Sequence, residues 1–372
     1  MQHQQHLLSW RRISRPAVLV LSLCFLFACT SNVPRQATPA QAPINAATPV
    51  RAAVLLPLSG PDAALGQAML RAAELALYDL HNPNFEIWPV DINAGASDTA
   101  GLRAQNIQLL IGPLTSGQTR TMQAAAQGAN IPLLSFSNDP SVHDDVTILL
   151  GYNGAAEAHR IIDFAHARGK KNVLALLPNG AYGDAIANTL LSQSLIQIMR
   201  FNNGDDLATG LMHLSPPPQA ILIAAGGAQL PPVLQALRAA GLSNKTVQYL
   251  GTGQWDDAAT WTAPELQGAW YPAADPVRRQ NFVRRYSAQF GAAPPRLASL
   301  AYDATAMAAI LAKEQNTYTF SRLENSSGFS GVDGLFRLMP DGTTWRALSI
   351  VEIRSGSISM IQSAPTSAAL AK

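Results

Sequence analysis

The amino-acid sequence predicts an α/β fold made of two doubly wound lobes, and three observations point to it. Short, wholly apolar runs recur along the chain, as expected of parallel strands covered on both faces. The run from Ala52 to Leu58, closed by Pro57-Leu58-Ser59-Gly60, is the first. Between the runs, apolar residues repeat at helical spacing: Leu65, Met69, Ala72, Ala73, Ala76 and Leu80 form one stripe, with Arg71, Glu74 and Asp79 off it. The strand-helix alternation then begins afresh near Ala155. Such a series needs crossover connections and therefore parallel sheets. Roughly 320 residues exceed what one core organises, which divides them into two Rossmann-like lobes.

The first 50 residues stand outside this pattern. Arg11, Arg12 and Arg15 precede an apolar core from Pro16 to Ala28, short of the roughly 20 residues of a membrane span. The core ends Leu26-Phe27-Ala28-Cys29, which reads as a bacterial lipoprotein signal over residues 1–28. The Cys29 thiolate would take a diacylglyceryl group and become the mature N-terminus, a lipid anchor to the membrane. Cys24, inside the signal, is the other of the two cysteines, so the mature protein is expected to form no internal disulfide. A domain of this size buries enough apolar surface to fold without one. Residues 29–50, with prolines at 34, 39, 43 and 49 and little charge, read as a flexible linker of extended, polyproline II character. Removing residues 1–28 takes away three arginines and no acid, leaving 23 basic residues against 24 acidic and a formal charge of −1. With no Lys/Arg run elsewhere, the composition argues against nucleic acid as a partner.

The remaining elements follow in order. Strands are expected at Phe85 to Asp91, Leu109 to Gly112 and Pro132 to Ser137, with a helix from Ser116 to Gly128. In the second series a helix runs to Arg168 and ends at Gly169, a natural C-cap. It is followed by strands at 172–177, 195–201, 219–225 and 246–251, separated by helices at 183–193, near His213 and at 229–240. Helices at 276–290 and 298–314 come next. Gly331 to Ile361 reads as antiparallel strands turning at Asp341-Gly342 and Ser355-Gly356.

Catalytic signatures are absent from this order of elements. There is no G-x-S-x-G elbow, S-x-x-K, H-E-x-x-H or phosphate loop. His159 and His166, seven apart on one expected helix, read as two polar-edge histidines rather than a zinc site. Neither an enzyme nor a cofactor is expected. The strand ends instead carry hydroxyls and small residues, where open α/β sheets bind ligands and free helix N–H groups converge. The candidate cleft residues are Ser59, Gly60, Thr115, Ser116, Ser135, Ser137, Asn138, Tyr182, Trp255 and Asp256. Tyr182 and Trp255 would supply apolar faces and Asp256 would meet an ammonium. The same Ser, Thr, Asn and Asp also suit plain caps and turns.

Seven segments together resemble the penicillin-binding protein activator family of LppC-type lipoproteins. They are AAVLLPLSGPDAALGQAMLRAAELALYDL, LLIGPLTSGQT, IPLLSFSNDPSV, GYNGAAEAHRIIDFAHARGKKNVLALLPNGAYG, YLGTGQWDD, RLASLAYDATAMAAIL and GVDGLFRLMPDGT. The resemblance implies a type I periplasmic-binding-protein fold, similar to leucine-binding proteins, with two lobes joined by three crossings. It places residues 51–150 and 274–330 in one lobe, residues 151–273 and 331–362 in the other, and leaves 363–372 as a disordered tail. It implies that Thr115-Ser116 and Ser135 to Asn138 hold a ligand α-carboxylate while the Tyr182 loop closes from the second lobe. The segment from Asn93 to Gln108 is shorter than the helix usual there. The expected role is a non-catalytic activator of a peptidoglycan synthase, a bifunctional penicillin-binding protein. Thr30, in place of aspartate after the anchor, directs such a lipoprotein to the outer membrane, facing the periplasm. The alternative is the periplasmic receptor of an amino-acid ABC transporter, with an amino acid or other small polar ligand between its lobes.

Overall fold

Alternate residues of the first strand are buried on opposite sides, and this organises the first lobe. The computed structural model describes residues 49–95, 99–191, 195–314 and 318–367. The expected signal, Cys29, nearly all of the linker and residues 368–372 lie outside the described residues. Strand β1 (Val50–Leu56) sends Ala52, Val54 and Leu56 to one side and Ala53 and Leu55 to the other. Because both faces are covered, the strand reads as an unbroken apolar run. Helix α1 (Ala63–Leu80), β2 (Phe85–Asp91), α2 (Thr99–Ala104), β3 (Ile107–Ile111), α3 (Ser116–Ala129), β4 (Leu133–Ser135) and β5 (Thr147–Leu149) complete a parallel sheet of order β2-β1-β3-β4-β5.

The chain then leaves this sheet and builds a second from α4 (Gly154–Ala167), β6 (Val173–Pro178), α5 (Ala181–Leu190), β7 (Ile196–Phe201), α6 (Ala208–Leu211), β8 (Ala220–Ile223), α7 (Leu230–Ala239), β9 (Gln248–Gly251), α8 (Ala258–Trp261) and β10 (Trp270–Ala273). Helices α9 (Pro276–Phe290) and α10 (Ala298–Glu314) return to the first lobe: Phe282, Tyr286 and Tyr302 pack with Ala72 and Leu75 of α1. After α11 (Phe320–Leu323), strands β11 (Phe329–Gly331), β12 (Gly334–Leu338) and β13 (Thr344–Arg346) form a small antiparallel sheet. Strands β14 (Ser349–Arg354) and β15 (Ser357–Gln362) add to the second sheet, whose order is β15-β14-β10-β9-β8-β6-β7. The chain thus passes between lobes after β5, after β10 and after β13.

The structure moves one expected boundary. The resemblance implies that residues 331–362 belong to the second lobe, yet Phe336 and Leu338 are buried with Val54, Ile111 and Met307 in the first core. The turn at Asp341-Gly342 is therefore first-lobe structure, and only β14 and β15 join the second sheet. Val351 and Ile353 of β14 sit in that lobe's core beside Ile221, Ile223 and Tyr271.

Candidate functional site

The strand ends of the first lobe are knitted together by their own hydrogen bonds. Asp91 Oδ1 accepts the N–H of Leu58 at 2.9 Å and of Asn93 at 3.1 Å, while Asn93 Nδ2 donates to the Ser59 carbonyl at 2.7 Å. Ser59 and Gly60 are exposed at this edge. Gly112 follows β3 with φ at +96°, and a Cβ there would fall 2.2 Å from the Leu55 carbonyl oxygen, so only glycine lets the chain turn out to Thr115. Thr115 N-caps α3 in a capping box: its Oγ1 accepts the Gln118 N–H at 3.3 Å, and its own N–H donates to Gln118 Oε1 at 3.2 Å.

The hydroxyls after β4 are similarly engaged. Ser135 is fully buried, its Oγ 2.7 Å from Thr119 Oγ1 and accepting the Ser137 N–H at 3.1 Å. Ser137 Oγ in turn accepts the Asp139 N–H at 3.1 Å. Burial acts to raise the Asp139 carboxyl, but bonds from the Ser141 hydroxyl and N–H, from Ser116 and the nearby Arg120 outweigh it and hold it below its ordinary value. Ser135, expected to meet a ligand, lies beneath the surface instead, and Ser116 and Ser137 already have partners within the lobe.

Asn138 and Tyr182 do come together. Both line a cavity of about 260 Å³ that also touches Asn153, Gly154 and Thr343, between the loop after β4, the starts of α4 and α5, and the β12-β13 turn. The Tyr182 hydroxyl donates to Thr252 Oγ1 at 2.9 Å. Its ring lies over Gly154, where an added Cβ would come within 2.3 Å of the ring. Burial, and to a smaller extent the Glu157 charge, push its phenol up.

Trp255 requires correction. It has no exposed surface, donates from Nε1 to the Ala225 carbonyl at 2.9 Å, and packs edge-on to Tyr271 with ring centroids 6.4 Å apart. It is a core residue of the second lobe rather than a wall of the cleft. Asp256 also differs from expectation: its side chain is only 4% exposed and already has cations, Arg296 Nε at 2.7 Å and Arg279 Nε at 3.9 Å. No free carboxylate is presented to an ammonium.

The sequence reading missed what surrounds Asp256. Beside the crossings lies a buried charge cluster in which Arg296 Nη1 also reaches Asp333 at 2.8 Å and donates to the Tyr152 hydroxyl, over whose ring its guanidinium sits at 4.0 Å. Desolvation alone would raise Asp333, yet Arg296 and Arg279, with hydroxyl bonds from Tyr152 and Ser299, hold its carboxyl far below the usual range. Asp303, desolvated and next to the Asp333 charge, is pushed up to about 7. Glu157, 5% exposed on the first turn of α4, accepts the Gly253 N–H at 2.9 Å; desolvation raises it to about 7. The sequence offered one signal, Asp333 within Gly331-Val332-Asp333-Gly334, but nothing that tied it to Arg296. His159 pairs with Asp163 at 3.0 Å, and among the described residues no group of three or more His, Cys, Asp or Glu is arranged to hold a metal.

Glu157 gives a pH prediction whose sign follows from its burial. Its folded value, about 7, lies above the 4.5 of a free glutamate, so the folded state holds the extra proton between the two. Stability from this group is full below about pH 4.5 and falls as pH rises to about 7, by up to roughly 3 kcal/mol at 1.36 kcal/mol per unit. Glu157→Gln keeps the acceptor for Gly253 without a charge. Urea melts between pH 5 and 8 are expected to show a flatter profile for this variant than for the parent, and higher stability at pH 8. An unchanged slope would mean that Glu157 is solvated in solution.

Comparison with known proteins places this geometry. The profile of the periplasmic binding protein family matches residues 49–195 and 214–357. The fold is similar to that of the branched-chain amino acid substrate-binding protein LivJ from Streptococcus pneumoniae in complex with isoleucine, with TM-score 0.63, 18% identity, and 86% of this chain and 100% of that one covered. It is equally similar to the C-domain of LpoA from Haemophilus influenzae, a regulator of PBP1A, with TM-score 0.64, 16% identity, and 84% and 99% covered. An uncharacterised protein of Rickettsia prowazekii is 25% identical over 144 residues, an alignment spanning 38% of each chain.

Proposed function

This chain belongs to the periplasmic binding protein family, with its type I two-lobed fold, and we propose that it serves as a non-catalytic regulator of a peptidoglycan synthase, a bifunctional penicillin-binding protein, through protein contact. A branched-chain amino acid binder and a regulator of PBP1A are similar to this fold at TM-scores of 0.63 and 0.64, so the choice rests on the site. The observation that carries it is Asp256, the acid expected to greet a ligand ammonium, buried against Arg296 and Arg279. Ser135, Ser137 and Thr115, expected to hold a carboxylate, are engaged in bonds within their own lobe. A cleft so satisfied from within presents little to an amino acid.

The export signal expected over residues 1–28 and the lipidation expected at Cys29 support the same reading. A lipoprotein anchored in the outer membrane, facing the periplasm and reaching out on the residue 29–50 linker, is placed to touch a wall synthase and badly placed to carry solute to an inner-membrane permease. Activation by contact requires that the regulator bind one synthase conformation more tightly than another. The amino-acid receptor stands as a second reading because Asn138 and Tyr182 line a common cavity between the lobes.

The deciding experiment is capture of a purified bifunctional penicillin-binding protein by the immobilised mature chain. Saturable binding with increased glycan polymerisation is expected. Absent binding, together with tight amino-acid binding, would transfer the chain to the receptor reading.

A further inference from the structure

We propose that Arg296 is a built-in clasp, holding the two lobes in one closed setting with no small molecule between them. The inference goes beyond the proposed partner and concerns how the lobes are held. Arg296 lies just before α10 and thus belongs to the first lobe, and its side chain is partly exposed. Asp256 follows β9 in the second lobe. Within its own lobe the Asp256 carboxylate receives the Tyr271 hydroxyl at 3.3 Å, while its cations, Arg296 at 2.7 Å and Arg279 at 3.9 Å, come from across the interface.

The pairing is asymmetric, and that asymmetry makes it a clasp. If the lobes part, Arg296 keeps Asp333 at 2.8 Å, a first-lobe partner, but Asp256 is parted from both of these cations. A carboxylate 4% exposed cannot lose its countercharge in place, because an unpaired buried charge is strongly unfavourable. Opening must therefore admit water to Asp256. In a hinged binder, a ligand biases closure only by binding the closed state better. Here a side chain of the protein occupies that role permanently.

The test measures the distance between lobes. Spin labels are placed on Tyr78→Cys of α1 and on Met212→Cys after α6, both 69% exposed, in the mature chain carrying Cys29→Ser. The parent is expected to give one distance, unchanged by isoleucine, leucine or glycine. Asp256→Asn, nearly isosteric and therefore expected to fold, should add a longer distance that rises from under about 10% of molecules to the larger share. Arg296→Met should do the same, with circular dichroism verifying that both variants keep their secondary structure. A distribution for Asp256→Asn that superimposes on the parent would overturn the clasp. So would two distances in the parent that an amino acid merges into the shorter one.

Discussion

Arg296→Met is expected to destabilise the folded chain by about 3 to 5 kcal/mol at neutral pH, the range for removing one member of a buried ion pair. Arg296 serves three partners at once: Nε meets Asp256, and Nη1 meets Asp333 and the Tyr152 hydroxyl. Removing it leaves both carboxylates to Arg279, at 3.9 Å from Asp256 and 3.4 Å from Asp333, and this remaining cation places the loss toward the lower end. Lysine would restore only part, since a single ammonium cannot reproduce a planar fork reaching two acids in different directions. The pH dependence has a definite sign. Asp333 is held well below its unfolded value of 3.8, so its contribution is present above that value and lost as pH falls below it. The gap between parent and variant should thus be full at pH 6 and shrink below about pH 4. Urea melts at several pH values measure it. A gap under about 0.5 kcal/mol at neutral pH would assign the pair to solvent-screened surface behaviour.

Trp255→Ala is expected to cost a similar amount, about 3 to 5 kcal/mol, for a different reason. The indole is wholly buried among Leu266, Tyr271 and Val351, and its removal leaves a cavity and an unsatisfied Ala225 carbonyl. Gly251, whose Cβ would lie 2.2 Å from the Trp255 ring, is part of the same fit. Trp255→Phe, which fills most of the volume without the N–H, should lose less. Thermal melts measure both. A tryptophan lining a ligand cleft would behave oppositely, changing ligand affinity with little effect on the empty protein.

These two residues also mark where the sequence was legible and where it was not. The fold was readable because the strands buried on both faces, such as β1 and β6, read as unbroken apolar runs, and because α1 carries a long helical stripe. Two strands escaped notice: β5, three residues, and β10, four residues containing Pro272, are too short to establish a period. The lobe of Phe336 and Leu338 could not be read from alternation alone, which says that a face is buried but not against what. In the site, a glycine-rich turn followed by Trp255-Asp256 looked like a ligand loop because turn chemistry and ligand chemistry use the same residues. What decides between them is distance in space. Asp256 finds Arg296 40 positions later and Glu157 meets Gly253 across 96. No local pattern carries such pairings.

The claim on which the functional account depends is that the space between the lobes is satisfied by the protein's own groups. Thermal melting of the mature chain against a panel of the common amino acids tests this directly. A ligand present at 100 times its Kd adds about 2.7 kcal/mol of stability, which appears as a clear rise in Tm for a chain of this size. The account predicts superimposable melts across the panel at millimolar concentrations. A Tm that climbs with the concentration of one amino acid, and does so less in Asn138→Ala, would contradict it and identify the cleft as a receptor site.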